Sequence, residues 1–365
     1  MSEELDSQLN IIGSNAKCKN CGSNVVFDPK TQTLVCPNCD SHFDFNKKQE
    51  EVKHKIDEGK LNDNSKKHDS WAKEMKVVKC ETCGAEIMLT GLEMSKTCPY
   101  CGSDYVAETS VLPGLTPDVV VPFTFNQSDA GDYFVKGMRR KFFAPRALKK
   151  KLPANKIHGI YVPTFTFDAD SETRYNGVLI KKRTHTDSKG RTTTTTIRIP
   201  INGIQNCTHK DYVVETSTKI NSKQMNGILP YEFSKSSFAY DLNFIRGYSI
   251  EHYENRFADC YERAKSDMRQ AIRSAILSKY DYTTVDYLNM DVKFSDELYS
   301  YRMLPIYSLE FEWKKKKYMV LMNGQTGKVG GGYPKSALKI TITVLGIIAL
   351  VALAIVLFFF LGQAE

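Results

Sequence analysis

A chain of 365 residues with 41% hydrophobic and 25% charged residues has the composition of a globular protein of two or three folded units, which excludes disordered and collagen-like architectures. The formal charge of +8 invites an acidic partner, and its location matters more than its sum. Residues 106–339 hold 36 basic and 24 acidic side chains, whereas 17–45 are neutral overall and 79–105 carry a net −2.

Residues 1–16 open on Glu3, Glu4 and Asp6 with no apolar stretch behind them, so they read as a tail and not as a signal peptide. The ten cysteines then fit a reducing compartment and metal binding better than secreted disulfides. Cys18, Cys21, Cys36 and Cys39 are followed by Cys80, Cys83, Cys98 and Cys101, each displaced by 62 positions and each set spaced C-x2-C-x14-C-x2-C. A C-x2-C pair places two sulfurs on one tight knuckle, and the intervening residues can form a hairpin that returns the second knuckle to the same ion. Four thiolates suit tetrahedral zinc, with iron as a residual alternative. Gly22 and Gly84 follow the second ligand of each set, and Pro37 and Pro99 sit inside the second knuckles. Two zinc ribbons are expected, at 17–45 and 79–105. Both would be structural, because sulfur fills every coordination position and modules of this size need the metal to fold. His42 is a conceivable substitute ligand and reads better as a surface histidine. Residues 46–78, rich in Lys, Glu, Asp and Asn, read as a solvated helix or flexible linker.

Residues 106–335 are expected to form an α+β domain. Val119–Phe123 reads as a strand, and Ser128 as the cap of a helix running through Phe134, Met138 and Phe142. A β-rich run covers 160–167, and a long hairpin is predicted with arms at 175–181 and 192–201. Phe257, Tyr261, Ala264, Met268, Ala271, Ala275 and Ile276 recur at helical spacing and predict one amphipathic helix over 256–279. Cys260 lies beside that stripe and reads as a packed thiol. Leu309–Trp313 and Tyr318–Met322 alternate as strands, and Asn323–Lys328 as a turn.

No enzyme signature emerges. Gly324-Gln325-Thr326-Gly327-Lys328-Val329 imitates a phosphate loop, but only two residues separate the glycines and Val329 follows the lysine. Asp168 and Asp170 read as turn or edge residues, and Cys207 and His209 lie too close along one strand for a dyad. One feature does stand out. Between Lys136 and Lys156 there are nine basic residues, namely Lys136, Arg139, Arg140, Lys141, Arg146, Lys149, Lys150, Lys151 and Lys156, with Phe142 and Phe143 among them and no acidic residue. This reads first as a membrane-facing patch, next as a plain solvated face, and after these as a surface for nucleic acid or an acidic protein partner.

From Ile340 to Leu361 the chain has 22 residues without a charge. At 1.5 Å per residue that is about 33 Å of helix, enough for a hydrocarbon core of about 30 Å. Lys328, Lys335 and Lys339 precede the segment, so the positive-inside rule places the N-terminal region in the cytoplasm. A single-pass cell-membrane protein with a C-terminal transmembrane helix is expected.

Beyond the ribbons, the chain carries Val121-Pro122-Phe123, Tyr161-Val162-Pro163-Thr164-Phe165-Thr166-Phe167-Asp168, Leu229-Pro230-Tyr231, and Asn323–Lys328 with Gly332–Ser336. Together these pieces resemble a group of bacterial membrane proteins described as TFIIB-type zinc-ribbon-containing proteins, some of them labelled primosomal helicases. Thr164-Phe165 stands where that group often has Phe-Trp. The resemblance implies a membrane anchor that works beside flotillin-like or phage-shock-type proteins, as in envelope-stress operons. Two functions are expected from it. The first is a membrane-anchored zinc-ribbon adaptor or scaffold for a protein partner, with no catalytic role. The second is a membrane-tethered nucleic-acid binder. Ribbons that are neutral or acidic, each made about two charges more negative by a zinc–tetrathiolate centre, lack the basic footprint that phosphate binding wants. The adaptor is therefore preferred.

Overall fold

The computed structural model describes residues 9–12, 15–56, 75–90, 98–101, 103, 117–150, 157–186, 190, 192–252 and 256–361. Lys151 and Lys156 of the basic run lie outside these residues, as does most of the linker beyond Ile56.

The first cysteine module contains β1 (Leu9–Ile12), β2 (Asn15–Cys18), β3 (Val26–Asp28), β4 (Thr33–Val35) and β5 (His42–Phe43). β1 pairs with β2, and β3–β4–β5 form a three-stranded antiparallel sheet. β6 (His54–Lys55) leads to the second module, built on β7 (Met75–Lys79) and β8 (Glu86–Thr90). The chain then runs through β9 (Val119–Val120), the helix Gln127–Arg140, β10 (Ile157–Thr186) and β11 (Thr192–Glu215). The short helices Ser222–Ile228, Phe233–Ser236 and Leu242–Ile245 alternate with β12 (Phe238–Ala239) and β13 (Ser249–Glu251). The helix Phe257–Leu277, β14 (Thr284–Trp313), β15 (Lys316–Asn323), β16 (Val329–Gly331) and the helix Ala337–Leu361 complete it. The fold is α+β.

One 11-stranded sheet organises the whole. Its spine is β10, a strand of 30 residues. β11 lies antiparallel along one edge of it, from Thr164↔Glu215 to Thr186↔Thr192, and β14 along the other, from Ile157↔Leu309 to Ile180↔Thr284. The predicted hairpin is therefore present, but its first arm is continuous with the β-rich run before it. Threonines and β-branched residues suit this exposed outer half. The helix Phe257–Leu277 packs along the ribbon, with Phe257, Tyr261, Ala264 and Met268 against Phe165, Phe167 and Tyr301, and Ile272 and Ile276 against Tyr175 and Leu179. Ile272 is buried where Ala271 was expected inward; Ala271 faces solvent. The helix Gln127–Arg140 is capped by Asn126, whose side chain accepts from the Asp129 N–H, and Ser128 lies within its first turn.

Both cysteine modules are welded to this sheet. β8 pairs with β13, which itself runs parallel to β10, so the second module extends the sheet. Phe27, Leu34 and Phe43 of the first module share a core cluster with Phe123, Phe244 and Tyr161. Each such buried side chain stabilises the assembly by about 1.5–3 kcal/mol. The described part of the expected linker is docked as well. Ala239 donates to Lys48 O (2.8 Å), Glu50 to Ser237 O (3.1 Å) and Ile56 to Glu297 O (3.1 Å), and β6 pairs with β14. Residues 46–56 are thus a strap across the domain, not a solvated spacer.

The helix Ala337–Leu361 is long and apolar enough over Ala337–Val356 to cross a membrane, and none of that stretch is buried in the protein.

Candidate metal centres and a basic collar

The four knuckles share one backbone geometry. Cys18 N–H donates to Ser23 O (2.8 Å), Cys36 to Ser41 O (2.9 Å), Cys80 to Ala85 O (2.9 Å) and Cys98 to Ser103 O (2.8 Å). Among the described residues, Gly22, Asp40 and Gly84 return a second bond to the carbonyls of Cys18, Cys36 and Cys80. The returning residue adopts a left-handed conformation, with φ of 74° at Gly22, 69° at Gly84 and 57° at Asp40. That accounts for the glycines, and for an aspartate, which tolerates this region better than most residues, at the third turn.

These turns bring the eight cysteines together as two sets of four, each with its sulfurs within 4.8 Å of one another. Cys18 and Cys39 sulfurs lie 3.5 Å apart and Cys21 and Cys36 3.4 Å. The second set gives 3.5 Å for Cys80–Cys101 and 3.6 Å for Cys83–Cys98. Four sulfurs held about 2.3 Å from one zinc ion sit about 3.8 Å from each other, so each group could hold a metal ion and zinc fits. His42 is not in the cluster; its Nδ1 faces Thr33 Oγ1 at 3.4 Å.

The surroundings favour the thiolate at some cysteines and the thiol at others. Hydrogen bonds from Ser23 and Asn38 bring the Cys21 thiol down to about 5, while burial pushes Cys36 up to about 11. At the second site burial acts to raise Cys80, but hydrogen bonds from the Cys83 backbone and the Cys101 sulfur outweigh it and leave it at about 7. Burial pushes Cys83 up to about 11 and Cys98 higher still. A metal ion would displace the protons of the raised thiols on binding. With four sulfurs as donors, a tetrahedral ion in either site would have no open position for water or substrate.

The two sites differ in setting. In the first, Lys19, Asn20, Cys21, Pro37, Asn38, Cys39 and Asp40 all face solvent. In the second, Pro99 and Tyr100 are buried, Ser308 donates to Pro99 O, Lys219 Nζ donates to Cys83 O at 2.8 Å, and Tyr100 donates to Glu251 at 2.6 Å.

Lys136, Arg139, Arg140, Lys141, Arg146, Lys149 and Lys150 lie exposed or half-buried on the end of the helix Gln127–Arg140 and the loop after it. That loop meets the base of the apolar helix. Ser336 N–H donates to Phe143 O (2.8 Å), and Lys339 Nζ donates to Phe142 O (2.9 Å) and Ala144 O (2.8 Å).

Other sequence features resolve into structure. Asn323 Oδ1 accepts from the N–H groups of Gln325 and Thr326, and its amide donates to Ile228 O and Pro230 O. The phosphate-loop imitation is therefore a turn locked onto Leu229-Pro230-Tyr231, whose Leu229–Pro230 bond is cis. Asp168 sits inside the sheet on its central strand, neither at a turn nor at an edge, and accepts from Lys53 Nζ (2.5 Å) and the Asp211 N–H (2.7 Å). His209 faces Ser171 Oγ at 3.5 Å. Cys260 is buried, and burial pushes its thiol up to about 12, so it is inert as a nucleophile.

Sequence reasoning missed a charged cluster beside Asp168. Arg302 is fully buried, with Nε on Thr166 Oγ1 (2.9 Å), one terminal nitrogen on Ser237 Oγ (3.0 Å), the other 3.6 Å from Asp211, and Cζ 4.6 Å from the centre of the Phe233 ring. The signal was a lone cation within the apolar run from Tyr299 to Leu309.

The molecule is thus an α+β protein with two four-cysteine sites and one apolar helix of membrane-spanning length. No family model matches the chain, and no solved structure matches it. It is 26% identical over 326 residues to YdjG of Bacillus subtilis (strain 168), an alignment covering 89% of this chain and 91% of that protein. The relation is a distant homology across nearly the full length, to a protein itself described as uncharacterized.

Proposed function

We propose that this chain is a membrane-anchored zinc-ribbon scaffold that holds a protein partner at the cytoplasmic face of the membrane. The observation that carries the reading is the asymmetry of the two cysteine sites. The second has its Pro99–Tyr100 knuckle buried against the domain, as a structural centre would, while Glu81 and Thr82 of its other knuckle reach solvent. The first buries its back in the same core and turns both knuckles to solvent, so a rigid polar tip is presented by a body attached to an apolar helix. Zinc in both sites would fix that tip and supply no chemistry of its own. Basic residues at the foot of the helix favour a cytoplasmic body. The resemblance to envelope-stress membrane proteins points to a flotillin-like or phage-shock-type partner.

The test is affinity purification of the full-length protein from detergent-solubilised membranes, with and without nuclease treatment, alongside a Lys19→Glu/Asn38→Arg variant at the exposed tip. A defined set of membrane-associated proteins, lost from the variant while its metal content is kept, is the expected result. Recovery only of nucleic-acid-processing proteins that vanish with nuclease would replace the scaffold by a tethered nucleic-acid binder.

A further inference from the structure

A cleft of about 510 Å³ lies between the helix Gln127–Arg140 and the turn Asn323–Lys328. Lys136, Arg140, Lys141 and Lys328 line it, with Glu232 as the one carboxylate among its lining residues. The helix comes this close to the turn because residue 137 is glycine: a Cβ there would stand 2.4 Å from Val329 Cγ2. Lys328 Nζ is tied to Leu229 O, so one cation is fixed on the far wall while the others are carried by the helix.

The cleft's position is its second property. Lys141 lines it, and the next residue, Phe142, is 64% exposed and accepts from Lys339 in the first turn of the apolar helix. The Lys339 ammonium also lies 5.8 Å over the Phe142 ring. Where that helix enters a bilayer, this loop is at the headgroup layer. An aromatic side chain beside a cluster of cations is the composition that such a layer favours.

We infer that the cleft is a binding site for the phosphate headgroup of an anionic phospholipid, drawn from the same membrane that the apolar helix spans. Lys136, Arg140, Lys141 and Lys328 would surround the phosphate, Arg146 and Lys149 would lie against neighbouring headgroups, and Phe142 would enter the interface. The inference rests on the membrane anchoring in the scaffold reading and is independent of its protein partner.

The experiment places the full-length protein in nanodiscs of phosphatidylcholine mixed with phosphatidylglycerol and counts retained lipids by native mass spectrometry. The wild-type chain should retain phosphatidylglycerol over phosphatidylcholine by at least about tenfold, since clustered basic residues near such a surface favour anionic headgroups. The preference should weaken as salt is raised. Lys136→Gln/Arg140→Gln/Lys141→Gln/Lys328→Gln should abolish it, and Lys181→Gln/Lys182→Gln/Arg183→Gln on the distant β10 arm should not. Should the fourfold variant fail to fold, Arg140→Glu alone and the wild-type salt dependence decide the matter. Equal retention of the two lipids by the wild type, or retention of added inorganic phosphate without any lipid preference, overturns the inference. A chain that keeps its protein partner but shows no lipid preference loses this site and leaves the scaffold standing.

Discussion

The hydroxyl of Tyr100, between two cysteines of the second metal site, donates a 2.6 Å hydrogen bond to Glu251 Oε2, and both residues are buried. Glu251 belongs to β13, the strand that joins the second module to the central sheet, and Ser217 donates to its other oxygen. Burial, reinforced by the Glu251 charge, pushes the phenol well above its ordinary value, so it remains a donor at any physiological pH. Tyr100→Phe keeps the ring and removes the donor from a buried acceptor. It should cost about 1–3 kcal/mol in urea unfolding with metal content unchanged. A loss below about 0.5 kcal/mol would mean that this bond does not join module to domain.

Because the modules share core clusters with the sheet, metal loss should reach the whole body. Cys18→Ser and Cys80→Ser should each reduce the metal content from two ions to one, and each should lower the melting temperature of the central domain. Cys80→Ser should do more damage, since β7 and β8 are strands of the main sheet. Zinc contributes about 10–16 kcal/mol to folding in isolated fingers, so chelation should broaden or split the unfolding transition. A central domain that melts identically with and without metal would make the modules appendages.

The four-cysteine clusters were legible because a metal site leaves local spacing in the chain, and the apolar helix because 22 uncharged residues run together. Strand and helix identities followed from periodicity, including the helix Phe257–Leu277. Docking was not legible. Nothing in Phe27 or Leu34 says that their neighbour is Phe244, more than 200 positions away. The strap at 46–56 is polar because its backbone pairs while Lys53 holds Asp168 and Glu51, and composition alone cannot separate that from a free linker. Asn126 and Ser128 both had capping chemistry, and only the backbone geometry chose between them.

Arg302 gives the sharpest contrast between charge and shape. Its guanidinium spans Thr166, Ser237 and Asp211 with Cζ 4.6 Å from the centre of the Phe233 ring, a fork that lysine cannot reproduce. Arg302→Met leaves Asp211 with Lys53 at 3.5 Å as its remaining ion pair, so the cost should fall near the lower end of the 3–5 kcal/mol typical of a broken buried pair. Arg302→Lys should recover less than half of it. Full rescue by lysine, read from denaturant midpoints, would show that charge alone is what the site requires.

The last expectation concerns acid. Burial holds the imidazoles of His158 and His209 below their ordinary value of 6.5, with Asp170 only partly opposing it at His209. The folded chain therefore prefers both rings neutral and binds fewer protons than the unfolded chain just below pH 6.5. Their contribution to stability is fully present above that pH and is lost as pH falls through the depressed folded values. Metal release also weakens the protein in acid, so the histidine effect must be read as a difference. In zinc-saturated samples titrated from above to below pH 6.5, the wild-type denaturation midpoint should fall more steeply than that of His158→Gln/His209→Gln. Parallel curves would assign the whole acid sensitivity to the cysteine sites.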